Sequence, residues 1–196
     1  MPSIRINRNL HEVAGEIRKA DLLLFRGAGW VSRLIQSAGR SDYSHAAKAD
    51  IWNTEIYCCE VRELKGGRIV TLASQVQKFP GQIDVFASAA NTQLGYHRDQ
   101  AASYMRRFAG QDYGYWSVAK AALQHLPGVR LLFKHDYQLE NGATPDRPPF
   151  CSQACAMADR NGGTCDPVPE LADRFTLPGD LAHSAFYSYK FTLTGV

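Results

Sequence analysis

The chain has 196 residues, which is the length of one ordinary domain and is enough to bury a hydrophobic core. Hydrophobic residues make up 45% and charged residues 21%, a composition that excludes a disordered, collagen-like or fibrous chain. The formal net charge of +3 is too small to predict binding to nucleic acid or to an anionic membrane. Five cysteines are an odd number at ordinary density, so a disulfide-stabilised scaffold is not expected.

The first half of the chain is predicted to begin with helix and strand in alternation and to continue as a strand-rich stretch. Residues 7–19 are predicted as a short amphipathic helix, residues 22–25 as a buried strand, and residues 30–38 as a helix that ends at Gly39. Turn residues then separate four predicted strands, which suggests an antiparallel meander. These strands are residues 44–52, 55–62, 68–76 and 83–87.

The hydrophobic period changes to that of helices after residue 94. Helices are predicted over 94–108, 116–126 and 150–160, and a last strand over 186–193. Residues 141–149 and 164–179 are predicted as loops, the first because of its Pro and Gly residues. The order of the elements predicts an α+β fold with helices packed against an antiparallel sheet. A single domain spanning residues 1–196 is expected, with a peripheral helix within residues 1–20.

Membrane and export signals are not evident in the sequence. No apolar run approaches the roughly 20 residues that a helix needs to span a bilayer. The first 20 residues are rich in charge and lack the apolar centre of a signal peptide. We therefore expect the protein to lie in the cytoplasm, a compartment in which free thiols are common. Export by another route is left open.

Cys151 is the strongest candidate for a nucleophile. It follows a proline-rich loop and stands near the start of the predicted helix 150–160. The unpaired N–H groups at a helix N-terminus carry a partial positive charge, which favours a thiolate. A thiolate can attack a carbonyl carbon, and the backbone N–H of Cys151 would point towards the developing oxyanion. The alternative is that Cys151 is a small buried core residue.

A cysteine nucleophile needs a general base, which is usually a histidine. His45 stands near the start of a predicted strand beside the small residues Ser44, Ala46 and Ala47, which leave space for a substrate or another side chain. The other five histidines lie in a polar helix, on an apolar helical face, beside loops or in a short polar segment: His11, His97, His125, His135 and His183. The alternative for His45 is an ordinary residue at a strand end.

Glu60 is the candidate for the group that orients the base. Strand alternation places it on the same face as Ile56 and Cys58, where a carboxylate is costly unless it is paired. A neighbouring antiparallel strand could pair it with His45. Glu55 and Glu63 are rivals on the opposite face, where a solvated role is expected, and Glu60 itself would be solvated on an edge strand.

A metal site is a competing interpretation of the same region. Cys151 and Cys155 are one helical turn apart, and His45 or His183 could complete a set of ligands. Zinc sites usually show ligands in more closely spaced pairs, so the spacing does not favour this interpretation.

The order of these segments resembles that of circularly permuted papain-like cysteine hydrolases. The resemblance rests on residues 21–27, 43–46, Glu60 and 150–152, covers roughly residues 20–188 and includes residues 178–182. The group comprises YiiX-like members of the NlpC-type superfamily, distantly related to lecithin–retinol acyltransferase-like proteins, in which the histidine strand precedes the cysteine helix. One departure is Lys48, which stands where an apolar strand residue is expected.

The resemblance implies that Cys151 is the nucleophile, His45 the general base and then acid, and Glu60 the orienting group. An acyl-enzyme would form and then be released by water or another acceptor. Tyr43 or Ser44 is the candidate second oxyanion donor, and neither a metal ion nor an organic cofactor is expected.

The implied activity is cleavage of an amide bond by a peptidase or amidase. The substrate would be a peptide, a peptidoglycan fragment or another small acyl-bearing molecule. A thioester-forming acyltransferase or a lipid acyl hydrolase could use the same three residues, and a non-catalytic binding module is the alternative from another class. No nucleic acid partner is expected, and the oligomeric state stays open.

Overall fold

A seven-stranded sheet forms the centre of the computed structural model, which describes residues 4–89, 95–114 and 148–196. The strands are β1 (Asn7–Asn9), β2 (Leu22–Phe25), β3 (His45–Trp52), β4 (Glu55–Arg62), β5 (Gly66–Thr71), β6 (Ile83–Ser88) and β7 (Tyr187–Gly195). Their order in the sheet is β1-β7-β6-β2-β3-β4-β5. Within the described residues, β1 and β7 are parallel and the other neighbouring strands are antiparallel.

Six α-helices surround this sheet in the described ranges: α1 (Leu10–Val13), α2 (Trp30–Ala38), α3 (Leu72–Lys78), α4 (Arg98–Arg106), α5 (Cys151–Met157) and α6 (Pro178–His183). A π-helical turn, Ala158–Gly162, continues directly from α5. The predicted α+β fold, with helices packed against a largely antiparallel sheet, is confirmed. In the parts of the chain that the structure describes, no helix is long and apolar enough to cross a membrane.

Strand β2 lies in the middle of the sheet, and all four of its residues are buried. Since side chains alternate along a strand, Leu22 and Leu24 enter the core on one face and Leu23 and Phe25 the core on the other. The first core contains the apolar side chains of α5. An apolar run without polar alternation is typical of a strand that is covered on both faces.

The prediction of one strand over residues 68–76 is wrong. Strand β5 ends at Thr71, whose side chain accepts a hydrogen bond from the backbone N–H of Ser74 and thereby caps α3. Leu72 and Val76, four residues apart, are both buried, so these two apolar residues lie on one face of α3. The predicted meander is correct from β3 to β5, but β6 pairs with β2 and β7.

The N-terminal helix is also shorter than predicted. Residues 7–9 form the edge strand β1, and the backbone N–H of Thr192 continues the contact with β7 by donating to the carbonyl of Ile6. Only α1 and the following 3₁₀ turn, Ala14–Glu16, are helical. Leu10, Val13 and Ile17 of this segment are buried in the core.

The remaining predicted elements differ mainly at their boundaries. Helix α4 covers the central part of the predicted helix over 94–108, and β7 covers most of the predicted last strand. A 3₁₀ turn, Asp173–Phe175, and the start of α6 fall within the predicted loop over 164–179. The predicted helix over 116–126, residues 141–147 of the predicted loop, and His125 and His135 lie outside the described residues.

Lys48, the unexpected lysine of β3, is fully buried in an ion pair. Its Nζ lies 2.6 Å from Oδ2 of Asp159 and also donates to the carbonyl of Ala20 and the hydroxyl of Tyr187. Asp159 accepts a further hydrogen bond from the hydroxyl of Tyr96, at 2.5 Å. Because Asp159 lies in the π-turn after α5, this network attaches the strand that begins with His45 to the helix that begins with Cys151.

We predict that Lys48→Ala destabilises the protein by about 3–5 kcal/mol, because it leaves the buried carboxylate of Asp159 without its cation. Urea unfolding monitored by circular dichroism measures the change. Lys19→Ala is the matched control, since it removes a 2.7 Å ion pair with Asp99 that is exposed to solvent. The role of Lys48 would be contradicted if both variants lost the same small amount of stability.

Candidate active site

Cys151 is the first residue of α5 and its side chain is buried. The preceding residue, Phe150, is extended, and its carbonyl accepts the first hydrogen bond of the helix, from Ala154. Burial alone would raise the pKa of the Cys151 thiol. The hydrogen bond and charge of His45, together with the backbone N–H groups of Ala46 and Ser152, outweigh burial and lower this pKa below its usual value.

His45 is the first residue of β3, and its ring packs edge-on against Phe25 with the ring centres 5.1 Å apart. Its Nε2 lies 2.6 Å from Oε2 of Glu60. Since Nε2 is used in this contact, Nδ1 is the ring nitrogen left to interact with the Cys151 thiol. Burial would lower the pKa of His45, but the hydrogen bonds with Cys151 and Glu60 and their negative charges raise it to about 9.

Glu60 lies on β4, and its side chain is inaccessible to solvent. Strand pairing places Ala47 of β3 opposite it on one side and Arg68 of β5 on the other. Burial would raise the pKa of Glu60, but the hydrogen bond and charge of His45 and the charges of Arg62 and Arg68 lower it to about 2. The carboxylate is therefore ionised at neutral pH.

The structure thus brings together the three side chains that sequence analysis selected. His45 lies between the sulfur of Cys151 and the carboxylate of Glu60, and the charges are arranged for a thiolate beside an imidazolium. Such a group can attack a carbonyl carbon and then donate a proton to the leaving group.

Two arginines that were not predicted from the sequence, Arg62 and Arg68, lie around Glu60. Arg68 donates from Nε to Oε1 of Glu60 at 2.7 Å, and Nη1 of Arg62 lies 3.4 Å from Oε2. Strand alternation could have placed Arg62 on the face of Glu60. A hairpin turn around Lys65 could have placed Arg68 opposite Glu60, but this pairing depends on a register that the sequence alone leaves open.

The two oxyanion candidates have other hydrogen-bond partners. The Tyr43 hydroxyl donates to Oδ2 of Asp84 at 2.6 Å, and its backbone N–H donates to the hydroxyl of Ser41. The Ser44 N–H donates to the carbonyl of Phe25, and its hydroxyl accepts from the N–H of Gly27. This geometry does not support Tyr43 as an oxyanion donor. Ser44 lines the pocket beside His45, so its role as an oxyanion donor stays a prediction.

An open pocket of about 80 Å³ lies beside His45. Its volume is several times the roughly 10–15 Å³ that one water molecule needs. Aromatic and aliphatic side chains form part of its wall, and polar or charged groups form the rest: Phe25, Ile35, Phe79, Tyr113, Arg26, Gly27, Ser32, Ser44, Arg62, Glu63 and Gln82. Tyr113, one of the lining residues, also packs against the cluster of Phe150, Cys151 and Leu177.

The predicted alternative metal set is not assembled in the described residues. Cys155 is buried in the core beside Ala154 and Met157, and His183 is the last residue of α6. Within residues 4–89, 95–114 and 148–196, no group of three or more His, Cys, Asp or Glu side chains is placed to hold a metal ion.

Comparison with known proteins identifies the fold. No family model matches the sequence, and no curated protein matches it. The structure is similar to the crystal structure of metalloprotein YiiX from Escherichia coli O157:H7, with a TM-score of 0.62 and 14% sequence identity. The match covers 90% of this chain and 97% of YiiX. The chain therefore has a YiiX-like α+β fold.

We predict that Glu60→Gln lowers the pKa of His45 from about 9, because it removes the carboxylate that stabilises the imidazolium. In the wild type this raised pKa stabilises the folded state below pH about 6.5, and the contribution is lost as pH rises through about 9. Titration of His45 by NMR measures the shift. Glu63→Gln is the matched control, since Glu63 lines the same pocket and the carboxylate bonded to His45 is that of Glu60. Equal shifts of the His45 pKa in both variants would contradict the role of Glu60 as the partner of His45.

Proposed function

We propose that this chain is a cysteine-nucleophile hydrolase that cleaves an amide bond through an acyl-enzyme on Cys151. The contact of His45 with both the Cys151 thiol and the Glu60 carboxylate carries this proposal. A histidine in this position can accept the thiol proton and return it to a leaving group, while the carboxylate holds the ring and stabilises its charge.

The first half of the reaction forms a thioester. The thiolate of Cys151 attacks the carbonyl carbon, and the C=O electron pair moves to oxygen to form the tetrahedral intermediate. The backbone N–H of Cys151, at the N-terminus of α5, is the proposed donor to this oxyanion. When the intermediate collapses, the C–N bond breaks and protonated His45 gives its proton to the leaving amine.

The second half reverses these roles with water as the acceptor. Neutral His45 takes a proton from a water molecule, and the resulting hydroxide attacks the thioester carbon. Collapse of this second intermediate breaks the C–S bond, releases the carboxylic acid product and restores the thiolate beside protonated His45. The pocket beside His45 offers apolar and polar walls for the groups that flank the scissile bond.

The chain order of the three residues supports a place among permuted papain-like enzymes. His45 on a strand precedes Cys151 at a helix start, as in the circularly permuted, YiiX-like members of the NlpC-type superfamily that the sequence resembles. The proposed substrates are therefore peptides, peptidoglycan fragments or other small molecules with an acyl group in amide linkage.

The structural neighbour YiiX is named a metalloprotein. In the described part of this chain, no three His, Cys, Asp or Glu side chains are grouped as a metal ion would require. The proposed reaction uses the side chains of Cys151, His45 and Glu60.

We predict that Cys151→Ala lowers kcat/KM by about 10⁴-fold or more in an assay with a panel of peptide amides, because the variant lacks the nucleophile. Mass spectrometry of the wild type with slowly hydrolysed acyl donors would show one acyl group on Cys151. Cys155→Ala is the matched control, since it removes a buried thiol one helical turn away.

Hydrolysis that survives in Cys151→Ala, or an acyl group attached to another cysteine, would contradict the proposal. Stable transfer of the acyl group to an added amine, without release by water, would identify an acyltransferase instead. Unchanged ligand binding by Cys151→Ala, with no turnover by the wild type, would identify a binding module.

A further inference from the structure

The carboxylate of Glu60 has different partners on its two oxygens. Oε1 accepts two hydrogen bonds from Arg68, one from Nε at 2.7 Å and one from Nη2. Oε2 lies 2.6 Å from Nε2 of His45 and 3.4 Å from Nη1 of Arg62. Rotation of the carboxylate would therefore remove Oε2 from His45 and break the bonds of Oε1 with Arg68.

We infer that Arg68 is a positioning residue, which holds Oε1 of Glu60 so that Oε2 stays in contact with the ring nitrogen of His45. Arg68 acts through Glu60 and needs no contact with the substrate. Its effect on turnover rests on the proposed function, whereas its effect on the Glu60–His45 contact does not.

The main chain places Arg68 directly opposite Glu60 in the β4–β5 ladder. Two glycines precede it, and Gly66 has a φ of +65°, in the left-handed region that favours glycine. At Gly67 an added Cβ would collide with the carbonyl oxygen of Phe108. Gly67 also exchanges backbone hydrogen bonds with the segment that follows α4, donating to Gln111 at 2.7 Å and accepting from Gly110 at 2.8 Å. This close packing determines where β5 begins and therefore where Arg68 lies.

The charges around Glu60 come from several elements. His45 faces it from β3, Arg62 from its own strand and Arg68 from β5, while Cys151 of α5 lies beyond His45.

Helix α3 contributes the uncharged Gln75, which contacts Arg62 at 3.4 Å. Exposed Lys65 and the buried thiols of Cys58 and Cys59 also lie within electrostatic range of Glu60. Among the described side chains, Arg68 alone bonds to Oε1.

Arg68→Gln tests the inference, because glutamine removes the charge and the paired N–H donors. Loss of a neighbouring cation should raise the pKa of Glu60, which is about 2 in the wild type, by about one unit or more. The NMR signal of the His45 Nε2 proton should broaden or move upfield as its hydrogen bond to Glu60 weakens. We expect kcat to fall about 10- to 100-fold with little change in KM, because the base is misplaced while the pocket is intact.

Arg68→Lys separates charge from geometry. Lysine keeps a cation near Oε1 but cannot present the planar paired donors of arginine, so we expect an intermediate effect on each quantity. This variant also keeps a counter-ion for the buried carboxylate, and it tests the inference if Arg68→Gln does not fold.

Arg106→Gln is the matched control. It removes an arginine from the buried carboxylate of Asp50, 3.1 Å away on β3 of the same sheet, and touches neither Glu60 nor His45. A loss of stability without a change in the Glu60 pKa or in the His45 signal is expected.

Wild-type values of the Glu60 pKa and the His45 signal in Arg68→Gln, or in Arg68→Lys if the first does not fold, would overturn the inference. Changed values in a protein without hydrolase activity would support the role of Arg68 and reject the proposed function. Hydrolysis by the wild type, together with an unaltered Glu60–His45 contact in the Arg68 variant, would support the proposed function and reject the role of Arg68.

Discussion

The contact between His45 and Cys151 is the interaction on which the site depends. The sulfur is buried, and a buried thiol would ordinarily have a raised pKa. The pKa of Cys58, Cys59 and Cys155 is raised by burial. At Cys151 the imidazole and two backbone N–H groups reverse this effect, so the same chain holds inert core thiols and one thiol suited to nucleophilic attack.

The fold brings these groups together through links on both sides of the sheet. Near one end of β3, His45 contacts Glu60, whose orientation is fixed from β5 by Arg68. Three residues along the same strand, Lys48 pairs with Asp159 immediately after the helix of Cys151. The position of the base relative to the nucleophile is therefore set by a buried ion pair and a cross-strand pair, and not by the short segments around each residue alone.

Local patterns predicted much of this architecture and selected Cys151, His45 and Glu60 as candidates, whose catalytic roles stay a prediction. The apolar run of β2, the helix over 30–38 and the start of α5 at Cys151 each follow from residue type and spacing. The boundary between β5 and α3 could not be predicted this way, because Leu72 and Val76 suit a strand or a helix until their burial is known. Contacts between residues distant in sequence could not be predicted either. Asp159 lies 111 residues after Lys48, and the position of Arg68 depends on the strand register.

The most direct measurement of the central claim is the titration of the Cys151 thiolate by its ultraviolet absorbance, with Cys151→Ser subtracted as the blank. In the wild type the thiolate should form below the ordinary pKa of a cysteine, and in His45→Ala the transition should move to the ordinary value or above it. A transition that is the same in both proteins would show that His45 does not stabilise the thiolate, and it would contradict the account.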